Sequence, residues 1–582
     1  MPDLFRHLAT RLRSIAIAAV LIFPLAVSSC SSSDHIKGVV RIGLPEEPRT
    51  LNVFLASDAN THKVLRQIYQ PLYEDQPETL AIIPWLAAEL PVYNPDQKSY
   101  TVTLRPARWS DGRELTSADV AFTARLIQEF KLPRLSSRWN QVERIETPDA
   151  ATVVFYLKKP IATFLTRTLE APIVPAHQWA PIAEAARKKK KPLSALLNHE
   201  IEAPIGSGPF VLKKWGHGDY LYFEKNPHYF AANQTIGNRT QGPYVNGILF
   251  KIYGTTDVAM LALRRGEIDM FWQGIQPGYI DILKRTPGIE VYLTPKSALY
   301  YMGMNNRRPP FDDIHLRRAV AVLIDKDFIV KRLLQGRGTK MFSIIPPGNE
   351  KWCNPDLPHY ADGQTREERI RTAHEMLSRA GYSWKTAPVD AEGNIVPAEG
   401  MRLPDGQPMA PFTILTPPAD YDPARAISGT MIQEWLRAVG MPVSARPMEF
   451  SSLIDQIKNR REFDAFILGY GRLSLDPAYL GSFFSSINDK PRGWNMGGYH
   501  NDHFDRLATS ADTEMEFTAR RQIILEMQKI IIDDVPYIPL YVPNLIEAVR
   551  TDRFQGWVPM LDGIGNRWSF NEIKPNPSLP GA

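Results

Sequence analysis

The sequence predicts an α/β protein with more than one lobe, and three observations carry that expectation. Segments with alternating apolar residues and segments with apolar residues at helical spacing interleave through both halves of the chain. A length of 582 residues exceeds what a single core usually organises. The 49 prolines and 36 glycines divide the chain into many short elements joined by turns. No internal repeat emerges, so α/β lobes are expected and a repeat array is not.

Taken in order, residues 39–44 read as a first strand of β-branched and aliphatic side chains, ended by Pro45 and Pro48. Val64, Leu65 and Ile68 fall at helical spacing within 61–69, and Pro71 closes that helix. Residues 99–104 alternate as a strand does, Asp111-Gly112 makes a turn, and Thr116 caps a helix over 118–130. Strands follow at 151–157, 208–212, 219–224 and 248–253, with Asn226-Pro227 as a breaker between the last two. Helices are expected over 257–265, 316–324, 327–334, 366–380, 424–439 and 519–533. Pro536 and Pro539 stop the last of these from continuing and flank the entry to a strand.

The N-terminus carries the compartment. Arg6, Arg11 and Arg13 precede an apolar run over 15–27, and Val27-Ser28-Ser29-Cys30 then leads into Ser31-Ser32-Ser33. A basic stretch, a short apolar stretch and small residues ending at a cysteine read as a lipoprotein signal peptide over 1–29. Cys30 is then the lipidated first residue of the mature chain, with a linker over 30–37. Everything after it is expected outside the cytoplasmic membrane, in the periplasmic space or on the outer face of that membrane. Stable anchoring takes two or more acyl chains at about 0.8 kcal/mol per buried methylene. No later stretch approaches the roughly 18 uninterrupted apolar residues of a membrane helix.

Lipid on Cys30 leaves Cys353 without an intramolecular disulfide partner, so stability must come from burial, and 44% hydrophobic residues supply it. The formal charge of +5 loses two units with the leader, which holds three arginines and one aspartate. So small a balance gives no reason to expect nucleic acid as a partner. The five basic residues from Arg187 to Lys191 read as a solvated helix end.

Several blocks carry a family resemblance. Ile68-Tyr69-Gln70-Pro71-Leu72-Tyr73, Pro84-Trp85-Leu86-Ala87, Tyr100-Thr101-Val102-Thr103-Leu104-Arg105 and Trp109-Ser110-Asp111-Gly112-Arg113-Glu114-Leu115-Thr116-Ser117-Ala118-Asp119-Val120 come first. Gly206-Ser207-Gly208-Pro209-Phe210, Asn226-Pro227-His228-Tyr229-Phe230, Gly266-Glu267-Ile268-Asp269, Phe463-Asp464, Asp476-Pro477 and Asp534-Val535-Pro536-Tyr537-Ile538-Pro539-Leu540 follow in order. Together they resemble the family 5 extracellular solute-binding proteins, the oligopeptide, dipeptide and nickel receptors of ABC importers. Trp109 and Asp111 within them read as scaffold.

The resemblance implies a two-lobed periplasmic-binding-protein-like hinge fold (type II, cluster C) with an extra subdomain in lobe I. Lobe I would span 38–298 and return over 537–582, its subdomain would cover about 76–200, and lobe II would span 299–536. The crossovers would run through 291–306 and near 538–542, and a surface hairpin would occupy 390–411. The implied function is capture of a peptide or peptide-like solute by a monomeric receptor that closes on it and delivers it to a membrane permease and its ATPase. As alternatives behind that reading, the resemblance admits a nickel or metal-chelate receptor, an oligosaccharide receptor, or a sensing or chaperoning lipoprotein. No cofactor is implied.

Three segments match family positions that face ligand. They are Ala56, Ser57 and Asp58; Tyr300 and Tyr301; and Gly469, Tyr470, Gly471, Arg472 and Leu473. Successive strand residues face opposite sides, so at most one of Tyr300 and Tyr301 should point into the cleft. Many peptide-binding members carry an acid where Leu473 stands, to pair with the ligand's ammonium. Either another acid, such as Asp58, substitutes or the ligand lacks a free amino terminus. Arg472 either meets an anionic group or faces solvent. Enzyme motifs are missing: there is no Gly-x-Ser-x-Gly, no His-Glu-x-x-His and no Gly-x-x-x-x-Gly-Lys-Ser/Thr. His500-Asn501-Asp502-His503 falls in a turn before a helix near Phe504 and reads as structural.

Overall fold

The computed structural model describes residues 38–577. Cys30 and its leader lie outside the described residues. Two large sheets organise the chain. The first has seven strands in the order Phe210–Gly216, Tyr220–Lys225, Gly247–Ile252, Val39–Leu44, Met270–Phe271, Leu545–Arg550 and Ile289–Thr294. Val39–Leu44 is buried at all six positions and pairs in parallel with Gly247–Ile252 and Met270–Phe271. A central strand covered on both faces needs such a continuous apolar run. The second sheet has six strands in the order Gly338–Lys340, Tyr537–Pro543, Leu299–Met304, Ala465–Tyr470, Phe412–Thr416 and Val443–Pro447.

Among the described residues, two short passages join the sheets. Residues 295–298 link Ile289–Thr294 of the first to Leu299–Met304 of the second, inside the expected crossover. Asn544 alone separates Tyr537–Pro543 of the second from Leu545–Arg550 of the first. The expected return at 537 is therefore corrected: Tyr537–Pro543 still pairs with Leu299–Met304 and Gly338–Lys340. Pro539 lacks an N–H, and the register shifts between Tyr300 and Tyr301 opposite it, so the strand continues past the proline.

Within 76–200 lies a four-stranded antiparallel sheet, Val92–Asn94, Ser99–Thr103, Thr152–Leu157 and Val142–Glu146, packed with the helix Ser117–Glu129. Asp119 Oδ2 accepts from the Thr116 N–H at 2.9 Å and fixes that helix start, while Trp109 is fully buried and donates to Asp119. Asp111 Oδ2 meets His177 Nε2 at 2.9 Å. Both signature residues thus hold the scaffold. Arg187 ends the helix Ala176–Arg187 in a pair with Glu129, and Lys188 to Lys191 stand in solvent.

Most expected helices appear within two residues of their bounds, among them Ala59–Ile68, Thr256–Arg265, Arg366–Arg379, Pro423–Arg437 and Phe517–Asp534. The segment 327–334 differs: Lys326–Phe328 makes one short turn and Ile329–Leu333 continues in a wider, five-residue-spaced turn. The 390–411 region forms a loose hairpin of isolated bridges, with Met401 and Met409 buried. No helix among the described residues is long and apolar enough to cross a membrane.

Candidate functional site in the cleft between the lobes

The lobes touch at a few points. Thr166 Oγ1, from the subdomain, donates to Asp476 Oδ2 at 2.9 Å, the Ala162 N–H donates to the Asp512 carbonyl at 2.9 Å, and Arg472 lies 3.7 Å from Asp562. Arg472, from one of the expected ligand-facing segments, thus sits at the boundary between the lobes.

Those segments divide sharply. Ala56 is fully buried and its carbonyl accepts from Arg134, while Ser57 is exposed. Asp58 is the N-cap of Ala59–Ile68: its carboxylate accepts from the Thr61 N–H at 2.8 Å and the Thr61 hydroxyl at 2.7 Å. Burial works against its ionisation, but those two hydrogen bonds, its own backbone N–H and nearby Arg49 together outweigh it and its pKa is lowered. This carboxylate is occupied in holding a helix start and is not free for an ammonium.

Tyr301 is fully buried and stacks between Tyr537, at 4.7 Å, and Tyr470, at 5.8 Å. Tyr300 faces the other side, half-buried, stacked on Tyr541 at 5.1 Å with the Arg425 guanidinium 5.9 Å above its ring. The opposed orientation is as strand geometry requires. Tyr470 continues its column onto Phe483 at 4.7 Å. Gly469 is small because of Tyr300: a Cβ there would stand 2.6 Å from that ring. Gly471 faces open space. Arg472 is exposed.

Leu473 requires a correction. Its side chain is 7% exposed and packs into the core beneath the second sheet with Tyr479, Leu480 and Phe483. Its N–H donates to the Ser297 carbonyl. A side chain in that position fills a core and cannot set ligand preference. The resemblance carries a sequence position across the family but not the direction of a side chain.

Sequence reasoning missed the charges that line the cleft. On Ala59–Ile68, His62 and Arg66 form one exposed stripe, opposite the buried Val64, Leu65 and Ile68. The strand Tyr73–Asp75 pairs with Ile82–Pro84, and the Trp568 indole donates to the Asp75 carbonyl at 2.9 Å, so Asp75 leaves a fixed backbone. Glu170 stands exposed between the buried Leu169 and Ala171, and the Ile173 N–H ties this segment to the Gln70 carbonyl at 3.0 Å. Lys351, in the second lobe, holds its ammonium 5.0 Å from the centre of the Phe517 ring and 6.0 Å from that of Trp352.

Their electrostatics separate them from ordinary surface charges. Burial, reinforced by Glu74, pushes the Asp75 carboxyl up to about 7 against the opposing fields of Lys351, Arg66 and Arg472. Burial and the neighbouring Asp75 and Glu74 push Glu170 up to about 8. Burial, with Arg472 nearby, draws Arg66 down to about 10, and burial lowers Lys351. Glu170 and Arg66 are nonetheless reached by solvent. Their surroundings combine protein packed close about the charge with solvent at its edge. A signal existed in the polar stripe of an otherwise apolar helix, but no local pattern joins Arg66 to Glu170 or Lys351.

Other features lie elsewhere. A hollow of about 410 Å³ lined by Arg105, Glu114, His228 and Phe230 shares no residue with the cleft. His500 Nε2 meets Asp489 Oδ2 at 2.9 Å, and the Asn501 side chain accepts from the His503 N–H as the cap of Asp502–Thr513. Among the described residues no group of three or more His, Cys, Asp or Glu is arranged to hold a metal ion.

Comparison with known proteins agrees with this architecture. The oligopeptide-binding protein AppA of Bacillus subtilis is 26% identical over 559 residues, covering 92% of this chain and 94% of its own. A periplasmic oligopeptide-binding protein of an oligopeptide ABC transporter from Thermotoga maritima superposes with a TM-score of 0.74 at 22% identity, over 93% of this chain and all of the other. NikZ from Campylobacter jejuni, solved with Ni(L-His), superposes at 0.65 with 21% identity, over 92% of this chain and 99% of its own. At these identities the superpositions establish the fold. The profile of the bacterial extracellular solute-binding proteins, family 5 middle region, matches residues 81–491. With two lobes, two passages between them and a charged cleft already in view, that match places the chain among the family 5 extracellular solute-binding proteins.

Proposed function

We propose that this chain is the capturing component of an ABC importer for peptide or peptide-like solutes, which it takes up between its lobes and presents to a permease and its ATPase. One observation carries the reading: Asp75, Glu170 and Arg66 of the first lobe and Lys351 of the second lie in one another's fields, solvent reaches Arg66 and Glu170, and among the described residues none of the four makes a side-chain hydrogen bond or ion pair. Relatives named as oligopeptide- and D,D-dipeptide-binding proteins, and the AppA structure solved with a nonapeptide, support it. The action is binding without chemistry by a monomer. The lobes are 38–294 with 545–577, and 299–543, and they close about the two passages as a hinge does. The leader and Cys30 make it a lipid-anchored protein of the exported compartment.

Native mass spectrometry of the mature chain after incubation with a mixture of short peptides tests the reading. Retention of peptides, with a smaller radius of gyration in solution scattering, is expected. Retention of none, beside retention of a sugar or a metal chelate, overturns the peptide assignment. Cys30→Ser is expected to move the protein out of the membrane fraction, and unchanged lipid labelling of that variant overturns the anchor.

A further inference from the structure

Three of the sequence blocks singled out above meet at a place that peptide capture does not use. Residues 100–105, 109–120 and 226–230 bring Leu104, Arg105, Glu114, Leu115, His228 and Phe230 to the hollow of about 410 Å³. It lies where the subdomain joins the rest of the first lobe. Arg105 follows the strand Ser99–Thr103, and His228 lies between Tyr220–Lys225 and Gly247–Ile252 of the seven-stranded sheet. Junctions of this kind are where small-molecule sites form, with volumes of about 300–1,000 Å³.

Its charges do not balance. Arg108 and Glu114 neutralise each other at 3.3 Å, and another Arg108 nitrogen donates to the Gly112 carbonyl at 2.8 Å. Arg105 has no such counter-charge. It is half-buried, its Nε donates to the Ala87 carbonyl at 3.1 Å, and its guanidinium carbon stands 5.9 Å from the centre of the Phe230 ring. Phe230 in turn packs edge-on against Trp85 at 6.0 Å. Two contacts thus orient the guanidinium, while among the described residues its two terminal nitrogens make no hydrogen bond or ion pair.

We propose that this hollow is a second binding site, separate from the cleft, for a small organic acid whose carboxylate meets the terminal nitrogens of Arg105. The acid's apolar body lies against Leu104, Leu115 and Phe230. A guanidinium presents parallel N–H donors that match the two oxygens of a carboxylate, and here only the terminal pair is free to do so. Exposed His228 adds a ring N–H at the same hollow. A cation would find only Glu114, which Arg108 already holds, and a neutral solute would leave Arg105 as it stands.

The test uses the full mature chain with phenylacetate and, as its neutral counterpart, phenylacetamide. Binding is read by saturation-transfer NMR titration and located by hydrogen exchange. Phenylacetate is expected to bind about tenfold to hundredfold more tightly, the margin of one charge-assisted contact, with protection confined to 104–116 and 226–230. Arg105→Gln is expected to erase that margin, and Arg105→Lys to keep only part of it, because an ammonium lacks the paired donors. If loss of the Ala87 contact unfolds Arg105→Gln, Ala150→Trp at an exposed lining position fills the hollow with Arg105 in place and is expected to abolish binding. No binding, equal binding of the two probes, protection elsewhere, or phenylacetate binding unchanged by Arg105→Gln and Ala150→Trp overturns the site. Each of those results leaves the peptide reading standing, because it concerns residues outside the cleft.

Discussion

Two acidic sites at the same cleft are built oppositely. Asp476 is buried with Arg520, which donates to both of its oxygens at 2.8 Å, and it also accepts from the Ala478 N–H and from Thr166. Burial alone would raise its pKa, but Arg520, the Ala478 N–H and Thr166 together outweigh burial and lower it. Asp75 and Glu170 share the enclosure without any such partner, and theirs rise to about 7 and about 8. An enclosed acid with its cation is part of the frame, and an enclosed acid without one is poised for something that arrives from outside.

Removing the frame acid should have the largest effect. Asp476→Ala leaves Arg520 buried at the side-chain level with no counter-charge, and the expected loss is about 3–5 kcal/mol of unfolding free energy by denaturant titration. A loss under about 1 kcal/mol would erase the contrast between the two sites. Leu473→Asp comes next. It removes a core side chain beside Tyr479 and Phe483 and should cost about 2–3 kcal/mol without creating a preference for free-amine peptides. Intact stability together with a new preference for the free amine would return Leu473 to the binding wall.

These two positions show how far the sequence could be read. Strands and helices were legible because their signals are local: Val39–Leu44 is a run of apolar residues between turns, and Thr365 with Glu368 forms a capping box that starts Arg366–Arg379. The family was legible because its blocks keep their order. The charges shared between the lobes were not, because the fold alone assembles them. Asp75 ends a three-residue strand, Glu170 follows an irregular turn, and Lys351 belongs to the other lobe. The second crossover, placed near 538–542 by the resemblance, falls instead at Asn544, because Tyr537–Pro543 still pairs on both sides within the second sheet.

The unpaired acids give a pH dependence of opposite sign to that of Asp476. Folding raises both pKa values above their ordinary carboxylate range, so between about pH 4 and 8 the folded state keeps protons that the unfolded chain has lost. Stability of the unliganded protein should therefore fall as pH rises through that window. Glu74 adds to the rise in both groups, while Arg66 opposes it in both, Lys351 and Arg472 in Asp75, and Arg138 in Glu170. Solvent reaches both side chains, so the decline should be shallower than the losses above. Thermal unfolding across pH 5 to 8.5 checks it, with the Asp75→Asn, Glu170→Gln variant as reference. Identical slopes in both proteins would mean that the two carboxyls are ordinary surface acids.

The smallest expected effect separates framing from closing at one atom. Thr166 Oγ1 donates across the cleft to Asp476 Oδ2, which Arg520 Nη1 already contacts at 2.8 Å. Thr166→Val keeps the shape of the side chain and removes only the donor, so Asp476 retains its pair with Arg520 and the second lobe should be undisturbed. What is lost is a hydrogen bond that exists only while the lobes touch, worth about 1 kcal/mol, or about fivefold in the ratio of closed to open molecules. Solution scattering of the unliganded variant should show a larger radius of gyration, and peptide affinity should fall by a similar factor through the cost of closing. Unfolding free energy, read at the second lobe through tryptophan fluorescence, should not change. A variant that unfolds more easily but keeps its affinity would show that Thr166 belongs to the frame, and the division between paired and poised acids would then have to be drawn without the contact that spans them.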